Sequence, residues 1–437
     1  MKIKKAAALL VTSIAAVSSY AEADMEQLVV IGQRAMMQDA IVRQKEDDLV
    51  KSILTRDAIG QFPDQNMADA VRRLTGVNVL NDQGEGRFIA VRGLDPSLNS
   101  ASINGARIPS PESDTRAVAL DVIAAELIES IEIIKTLTPD MDGDTIGAAI
   151  RINTNNAFLA EKASFNLKAE GSYNDLNEET SPKGSFDFIL PVSDEFGISG
   201  GMSYYDRETS TDNVEAEGWG VTDTGVLFAD ALEYRDYDVL RERLGGNVSF
   251  DYRPDDNTTM YLRALYSRFE DTEERRRLVF EMDEDPTSSD GSSATFLSDD
   301  GEISVRRGLK DRFESQEIVS FQFGGETQYQ DWLFEYQVAY SSAEEHERDT
   351  QDPTRFRQDF DGAGDLAVTF NYADMELPTY AVTTGADAFN DPATFGFNKV
   401  ELVDGLSEDD EVALKLDITK SLVLSEGSLD IKFGGKY

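Results

Sequence analysis

Phe62-Pro63-Asp64-Gln65-Asn66-Met67-Ala68-Asp69-Ala70-Val71-Arg72-Arg73-Leu74-Thr75-Gly76-Val77, followed by Gly84-Glu85-Gly86-Arg87-Phe88-Ile89-Ala90-Val91-Arg92-Gly93-Leu94, is the stretch on which the reading of this chain turns. Asn66 is a helix N-cap residue, because its side-chain oxygen accepts an orphan N–H of the first turn. Met67, Ala70, Val71 and Leu74 then recur at helical spacing on one face. Gly76 suits the left-handed position after a helix end. Val77 to Leu80 reads as a short strand, and Phe88 to Val91 as a second, ended by Arg92-Gly93. Ile131 to Ile134 and Ala148 to Ile152 read as two more. Short strands and helices mixed in this way form one α+β domain. On pattern alone, a small globular domain of unassigned role fits equally well.

The same residues, with Ile131-Glu132-Ile133-Ile134-Lys135 and Thr138-Pro139-Asp140-Met141-Asp142-Gly143-Asp144-Thr145-Ile146-Gly147, resemble the plug domain of TonB-dependent outer-membrane receptors. Their spacing is similar to that of a branch associated with oligosaccharide uptake. The resemblance implies a plug set inside a β-barrel, the periplasmic protein TonB as energy-transducing partner, and a scarce solute as ligand. Glu26-Gln27-Leu28-Val29-Val30-Ile31 resembles the TonB box, which pairs with TonB as an added strand. Strand addition needs free backbone N–H and C=O groups and little side-chain specificity.

The ends and the composition set the compartment. Lys2, Lys4 and Lys5, the apolar run Ala6 to Val17 and the small-x-small site Ala21-Glu22-Ala23 form a secretory signal over residues 1–23. The apolar run is too short to span a bilayer as a helix. The chain has 437 residues, a net charge of −42 and no cysteine. Cleavage after Ala23 removes three lysines and one glutamate and takes the charge to −44. An exported chain without cysteine relies on packing and hydrogen bonds rather than disulfides. The expected organisation is a signal peptide (1–23), a TonB box and linker (24–51), the plug (52–158) and the N-terminal part of an outer-membrane β-barrel (159–437).

Beyond Phe158 the apolar period becomes two. Leu244, Gly246, Val248, Phe250 and Tyr252 alternate with Arg243, Gly245, Asn247, Ser249 and Asp251; Trp332 to Tyr340 and Leu429 to Gly435 behave alike. A soluble β-sandwich also alternates. The connections favour a barrel: short turns at Pro191–Gly197, Arg253–Asn257, Gln328–Asp331 and Ser425–Ser428 alternate with long loops at Arg207–Leu240, Asp271–Asp311 and Glu345–Asp410. The count is about nine strands, whereas the barrel of the resembled family has about 22. The expected fold is therefore an α+β plug followed by an incomplete antiparallel transmembrane β-barrel, with the chain an N-terminal fragment. Tyr437, ending an alternating strand, is the signal for the opposite reading of a complete protein.

The long loops are acidic, as in Glu281-Met282-Asp283-Glu284-Asp285 and Glu408-Asp409-Asp410-Glu411. An acidic vestibule repels anions and admits neutral or cationic solutes. That favours a neutral oligosaccharide over a ferric siderophore or other metal chelate, which is the alternative cargo. Trp219, Tyr234 and Tyr237 are the loop aromatics singled out to stack on a sugar face, with Arg87 of the plug as a polar ligand contact. The resemblance assigns Arg92 to pairing with a carboxylate of the barrel wall. Asp140, Asp142 and Asp144 around Gly143 do not follow a calcium loop, since the glycine stands at the fourth place and Arg151 at the twelfth; a carboxylate-rich turn is expected instead of a metal site. Gly197-Ile198-Ser199-Gly200-Gly201 matches a nucleophile-elbow string but opens an alternating strand rather than a strand-to-helix turn. The single histidine, His346, lies in a long loop. No enzyme activity and no cofactor are expected, and the acidic balance opposes nucleic-acid binding. An outer-membrane hydrolase and a passive channel remain as readings of another class.

Overall fold

A computed structural model describes residues 44–45, 47, 49–56, 64, 66–113, 115–159, 162–425 and 427–437. The signal segment 1–23 and the box Glu26 to Ile31 lie outside the described residues.

The N-terminal domain is built on β1 (Lys51–Thr55), α1 (Met67–Val71), β2 (Val77–Asp82), β3 (Glu85–Val91), β4 (Ser100–Ile103), β5 (Ala106–Arg107), β6 (Ser130–Ile134) and β7 (Ala149–Asn153). Five of its strands form a mixed sheet in the order β1-β6-β7-β4-β5, and β2 pairs with β3 as a separate hairpin. Asn66 caps α1, its Oδ1 accepting from the Asp69 N–H at 3.0 Å while its Nδ2 donates to the Gly86 carbonyl at 2.9 Å. One buried side chain thus starts the helix and ties it to β3. Helix α1 stops at Val71, short of Leu74, but Leu74 still packs on the same core. Gly76 takes φ +73°, the left-handed conformation expected after the helix. Ile103, Ile123, Ile128, Ile131 and Ile152 close the core.

The rest of the chain is a nine-stranded antiparallel wall, β8 (Ser164–Asn174), β9 (Glu179–Pro191), β10 (Phe196–Val221), β11 (Leu227–Asp255), β12 (Thr258–Met282), β15 (Ile303–Tyr329), β16 (Trp332–Phe360), β19 (Gly396–Leu424) and β20 (Gly427–Lys436), each paired with its neighbour in chain order. Its two faces differ. Met202, Phe250, Leu262, Phe321, Val338 and Leu414 are exposed on the face away from the N-terminal domain. The intervening positions Ser203, Ser249, Ser267, Ser320 and Ser341 are buried on the inner face. Inner-face Leu265, Phe269 and Ile318 join the core of the N-terminal domain, so domain and wall share one apolar cluster.

The long loops proved to be largely strand. Chains expected to leave the sheet at Arg207, Asp271 and Glu345 stay paired with their neighbours, with register shifts along the β15–β16 and β16–β19 pairs, so that β10 runs for 26 residues and β11, β16 and β19 for 29 each. A bilayer crossing takes only about 9–11 residues. The extensions hide from an apolar-period reading because charged residues fill much of their length, as in Glu273-Glu274-Arg275-Arg276-Arg277. They are held by ladder hydrogen bonds and cross-strand ion pairs, such as Arg276 to Asp236 at 3.2 Å, which are register partners. Between them a small sheet of β13 (Ser288–Asp290), β14 (Ser293–Leu297), β17 (Ala367–Asn371) and β18 (Thr379–Thr384), with the short helix α2 (Ala386–Asn390), packs on its own aromatic core of Phe228, Phe280, Phe296, Phe370 and Phe389.

Candidate functional site

The β2–β3 tip points toward the long-hairpin end of the wall, and a polar seam joins it to the inner face. Glu85, fully buried, receives Arg207 Nη1 at 2.9 Å, Arg243 in a short pair, and Arg241 at 3.6 Å. Asp82 takes Arg241 at 2.7 Å and Arg87 at 3.0 Å. Arg241 in turn meets Asp271 of β12 at 3.2 Å, and Arg312 of β15 bridges Asp271 and Glu273 at 3.0 Å each. These arginines stand at inward positions of long strands, where the lateral ladder fixes them. The tip carboxylates are presented by the tight hairpin of β2 and β3.

Burial pushes the Glu85 carboxyl up, but Arg243, Arg207 and Arg241 together outweigh it and bring it down to about 2. Asp82 is likewise lowered, burial being outweighed by Arg241 and Arg87. Asp121 goes the other way. It is fully buried, neither carboxylate oxygen meets a donor among the described residues, and burial pushes it up to about 6 against the pull of Arg87, Arg243 and Arg241.

Above the seam lies a cavity of about 580 Å³ lined by Asp82, Arg87, Phe88, Glu112, Arg312 and Glu345 among others. A second of about 300 Å³ lies beside it, between Arg107, Ser110 and Arg116 of the N-terminal domain and Glu408 and Asp409 of β19. Both have more carboxylates than guanidiniums on their walls, which disfavours an anionic occupant.

The expected site residues are not brought together. Arg87 does line the larger cavity, but its guanidinium is engaged by Asp82 at 3.0 Å and Glu112 at 2.6 Å, with Glu314 of the wall at 3.7 Å. Tyr237 is buried on the inner face with Arg275 Nη1 donating to its hydroxyl at 3.4 Å. Tyr234 lies on the outer face of β11, its hydroxyl donating to the Pro378 carbonyl at 3.0 Å. Trp219 stands near a hairpin tip, edge-on to Tyr372 with ring centroids 6.0 Å apart. The assignment of Arg92 needs correction. It adopts φ +59°, is exposed, and donates to the Lys135 carbonyl at 2.7 Å inside its own domain; among the described residues it meets no wall carboxylate. Its backbone turns the side chain along the domain surface, and the pairing runs mainly in the opposite sense, from wall arginines to Glu85 and Asp82. The missed residues carried a signal: Arg207, Arg241 and Arg243 occupy the polar positions of alternating strands.

Asp140, Asp142 and Asp144 each face a cation: Lys432 at 3.2 Å, Lys436 at 2.7 Å, and Arg116 at 3.2 Å. The lysines come from β20, so this turn ties the domain to the wall at its short-turn end. Ser199 Oγ donates to the Asn155 carbonyl at 3.1 Å on the inner face, whereas His346 lies on the outer face of β16.

Residues 44–149 match the family model described as the TonB-dependent Receptor Plug Domain, beginning ahead of the boundary expected at 52. Among solved structures, the chain is similar to a variant of the ferric enterobactin receptor of Pseudomonas aeruginosa (13% identity over 90% of this chain and 62% of that one, TM-score 0.39). It is similar also to the outer membrane transporter YddB of Escherichia coli (11% identity, 88% and 56%, TM-score 0.38), and to the ferric citrate transporter FecA (10% identity, 91% and 75%, TM-score 0.35). The chain spans less than two thirds of the length of the first two. The N-terminal domain is thus similar to the plug of TonB-dependent receptors, and it is followed, as expected, by a large antiparallel sheet.

Proposed function

We propose that this chain belongs to a TonB-dependent receptor of the outer membrane that imports a scarce, uncharged solute, an oligosaccharide, and is not an enzyme. The observation that carries the reading is the seating of a plug-like domain, matched over residues 44–149, on the polar inner face of a wall whose outer face is apolar. An exposed belt of Met202, Phe250, Leu262 and Phe321 is costly in water and favourable against lipid. Tyr204, Tyr266 and Tyr340 stand on that outer face, their hydroxyls donating to Glu242, Glu317 and Asp410 at 2.9, 3.1 and 2.8 Å. Rings against lipid with hydroxyls in a polar layer are the arrangement of an interfacial girdle.

Ligand entering from the long-hairpin end meets the two cavities on the plug. Their excess of carboxylates favours a neutral sugar over an anionic ferric chelate. Binding there bears on Asp82, Arg87 and Glu112, and through Glu85 on the seam between plug and wall. Glu26 to Ile31 are the segment offered to TonB as an added strand, and residues 1–23 the export signal. Deleting Glu26 to Ile31 in the source bacterium is expected to abolish solute uptake while leaving surface binding intact. Unchanged uptake in the deletion strain means a passive channel or a hydrolase. Growth on oligosaccharides compared with growth under iron limitation separates sugar import from import of a metal chelate.

A further inference from the structure

A cavity of about 710 Å³ is unrelated to the plug. Register places it on the outer face. Val214, Tyr234, Leu278 and Arg307 are successive cross-strand partners on β10, β11, β12 and β15, as are Asp212, Asp236, Arg276 and Leu309. Both rows share the face that carries Met202, Tyr204, Leu262 and Tyr266 lower on the same strands, and no register shift intervenes between those positions on β10, β11 and β12. Val214 lies ten residues beyond Tyr204, about 33 Å at the rise of a strand. The cavity therefore opens sideways from the hairpin extensions, well past the apolar belt and outside any path through the wall. Tyr380 of β18 and Phe389 of α2 cover it.

Rings and branched aliphatics line it together with four arginines and two aspartates. Arg235 is paired with Glu233 and Glu215, Arg276 with Asp236 and Asp238, and Arg277 with Glu233. Arg307 meets no carboxylate among the described residues, in a chain of net charge −42. Its Nη2 donates to the Phe389 carbonyl at 2.7 Å, its guanidinium lies 5.4 Å and 4.7 Å from the ring centroids of Phe389 and Phe395, and its Nε is buried with no hydrogen-bond partner among the described residues. The rings hold the guanidinium in place without neutralising it. Of the two acidic residues on the far row, Asp236 is taken up by Arg276 and stands two strand spacings from Arg307, about 10 Å, and Asp212 stands three away, about 14 Å.

We propose that this flank cavity binds a ligand made of flat-faced rings carrying a carboxylate, the ring lying on Tyr234 and Tyr380 and the carboxylate on Arg307. A uronate-containing glycan and an aryl carboxylic acid share that chemistry. The inference stands apart from the import reading, since the site is neither on the plug nor in the barrel interior.

The test is calorimetric titration of the detergent-solubilised full chain with a glucuronate disaccharide and with benzoate, each beside a neutral counterpart, cellobiose or benzamide. Saturable binding of a carboxylate-bearing probe, in clear preference to its counterpart, is expected. Arg307→Gln should weaken it about tenfold or more, the scale of a lost charged hydrogen bond. Leu309→Trp, which fills the cavity from an exposed position, should abolish it. Binding in the glucuronate arm identifies a glycan, and in the benzoate arm an aryl acid. The proposal fails if neither probe saturates, if the neutral counterparts bind equally, or if Leu309→Trp leaves affinity unchanged. Should Arg307→Gln lose its native circular dichroism, the Leu309→Trp result decides alone. Deletion of Glu26 to Ile31 is expected to leave this affinity untouched, so the outcome is independent of whether import requires TonB.

Discussion

Glu85 is the residue on which the seam depends. Three guanidiniums converge on a carboxylate with no exposure to water. Removing one partner of a buried ion pair leaves charge uncompensated, at a cost of about 3–5 kcal/mol. Glu85→Ala is therefore expected to lower thermal stability sharply and to open the plug to protease, whereas exposed Arg92→Ala should shift stability by no more than about 0.5 kcal/mol; melting curves and limited proteolysis compare the two. The buried carboxylates also set opposite pH dependences. Glu85 titrates below its ordinary value, so its stabilisation is present above about pH 4.5 and is lost as pH falls toward 2. Asp121 titrates above its ordinary value. Between about pH 4 and pH 6 the folded chain keeps a proton there that the unfolded chain releases, so stability falls as pH rises through that window, by about 3 kcal/mol in all. Asp121→Asn should remove this loss: variant and parent should melt alike near pH 4, and the variant higher at pH 7.5.

At the scale of elements, the plug is held to the wall by close approach as well as by charge. A Cβ added at Gly245 of β11 would come within 2.7 Å of Leu127 Cδ1, with Ser267 Oγ also near. Gly245→Val therefore displaces the Leu127 side chain where the shared apolar cluster forms, while β11 itself is an element that accepts valine. The expected result is a plug more readily cleaved by protease with strand content unchanged by circular dichroism. Unaltered protection of the plug would show that the contact yields without cost. The extended hairpins follow a different rule. Their charged rows, Asp236 with Arg276 and Glu233 with Arg277, stabilise register between the strands beside the small aromatic core.

For the whole molecule, the proposed import reading gives lipid to one face of the sheet and water to the other. Leu262 is half exposed on the outer face, and its neighbour in sequence, Arg263, lies inward over the Tyr261 ring at 4.0 Å. An arginine introduced on a lipid-facing position costs about 2–4 kcal/mol near the bilayer midplane. Leu262→Arg is thus expected to reduce the yield of folded chain in lipid vesicles, measured as the fraction resistant to protease. A chain that folds as a water-soluble sandwich would instead gain solubility from the same change.

The sequence by itself determined the α1 cap at Asn66, the left-handed Gly76, nine two-period strands and the apolar outer row, because each is written in neighbours a few residues apart. It also displayed the resemblance of residues 62–158 to a plug. Tertiary structure alone decided the rest. Whether Arg87, Arg92 or Arg241 meets a carboxylate depends on which faces the plug and wall turn to one another, and the partners of Arg241 lie 159 and 30 residues away. Polar strand extensions bear no apolar period, so Arg207–Leu240 reads as loop until its backbone finds a partner. Tyr234, Tyr237 and Trp219 look equivalent in one acidic stretch. Alternation sends Tyr234 and Tyr237 to opposite faces, and the small aromatic sheet claims the surroundings of Trp219, because side-chain direction follows strand parity and packing rather than proximity in the chain.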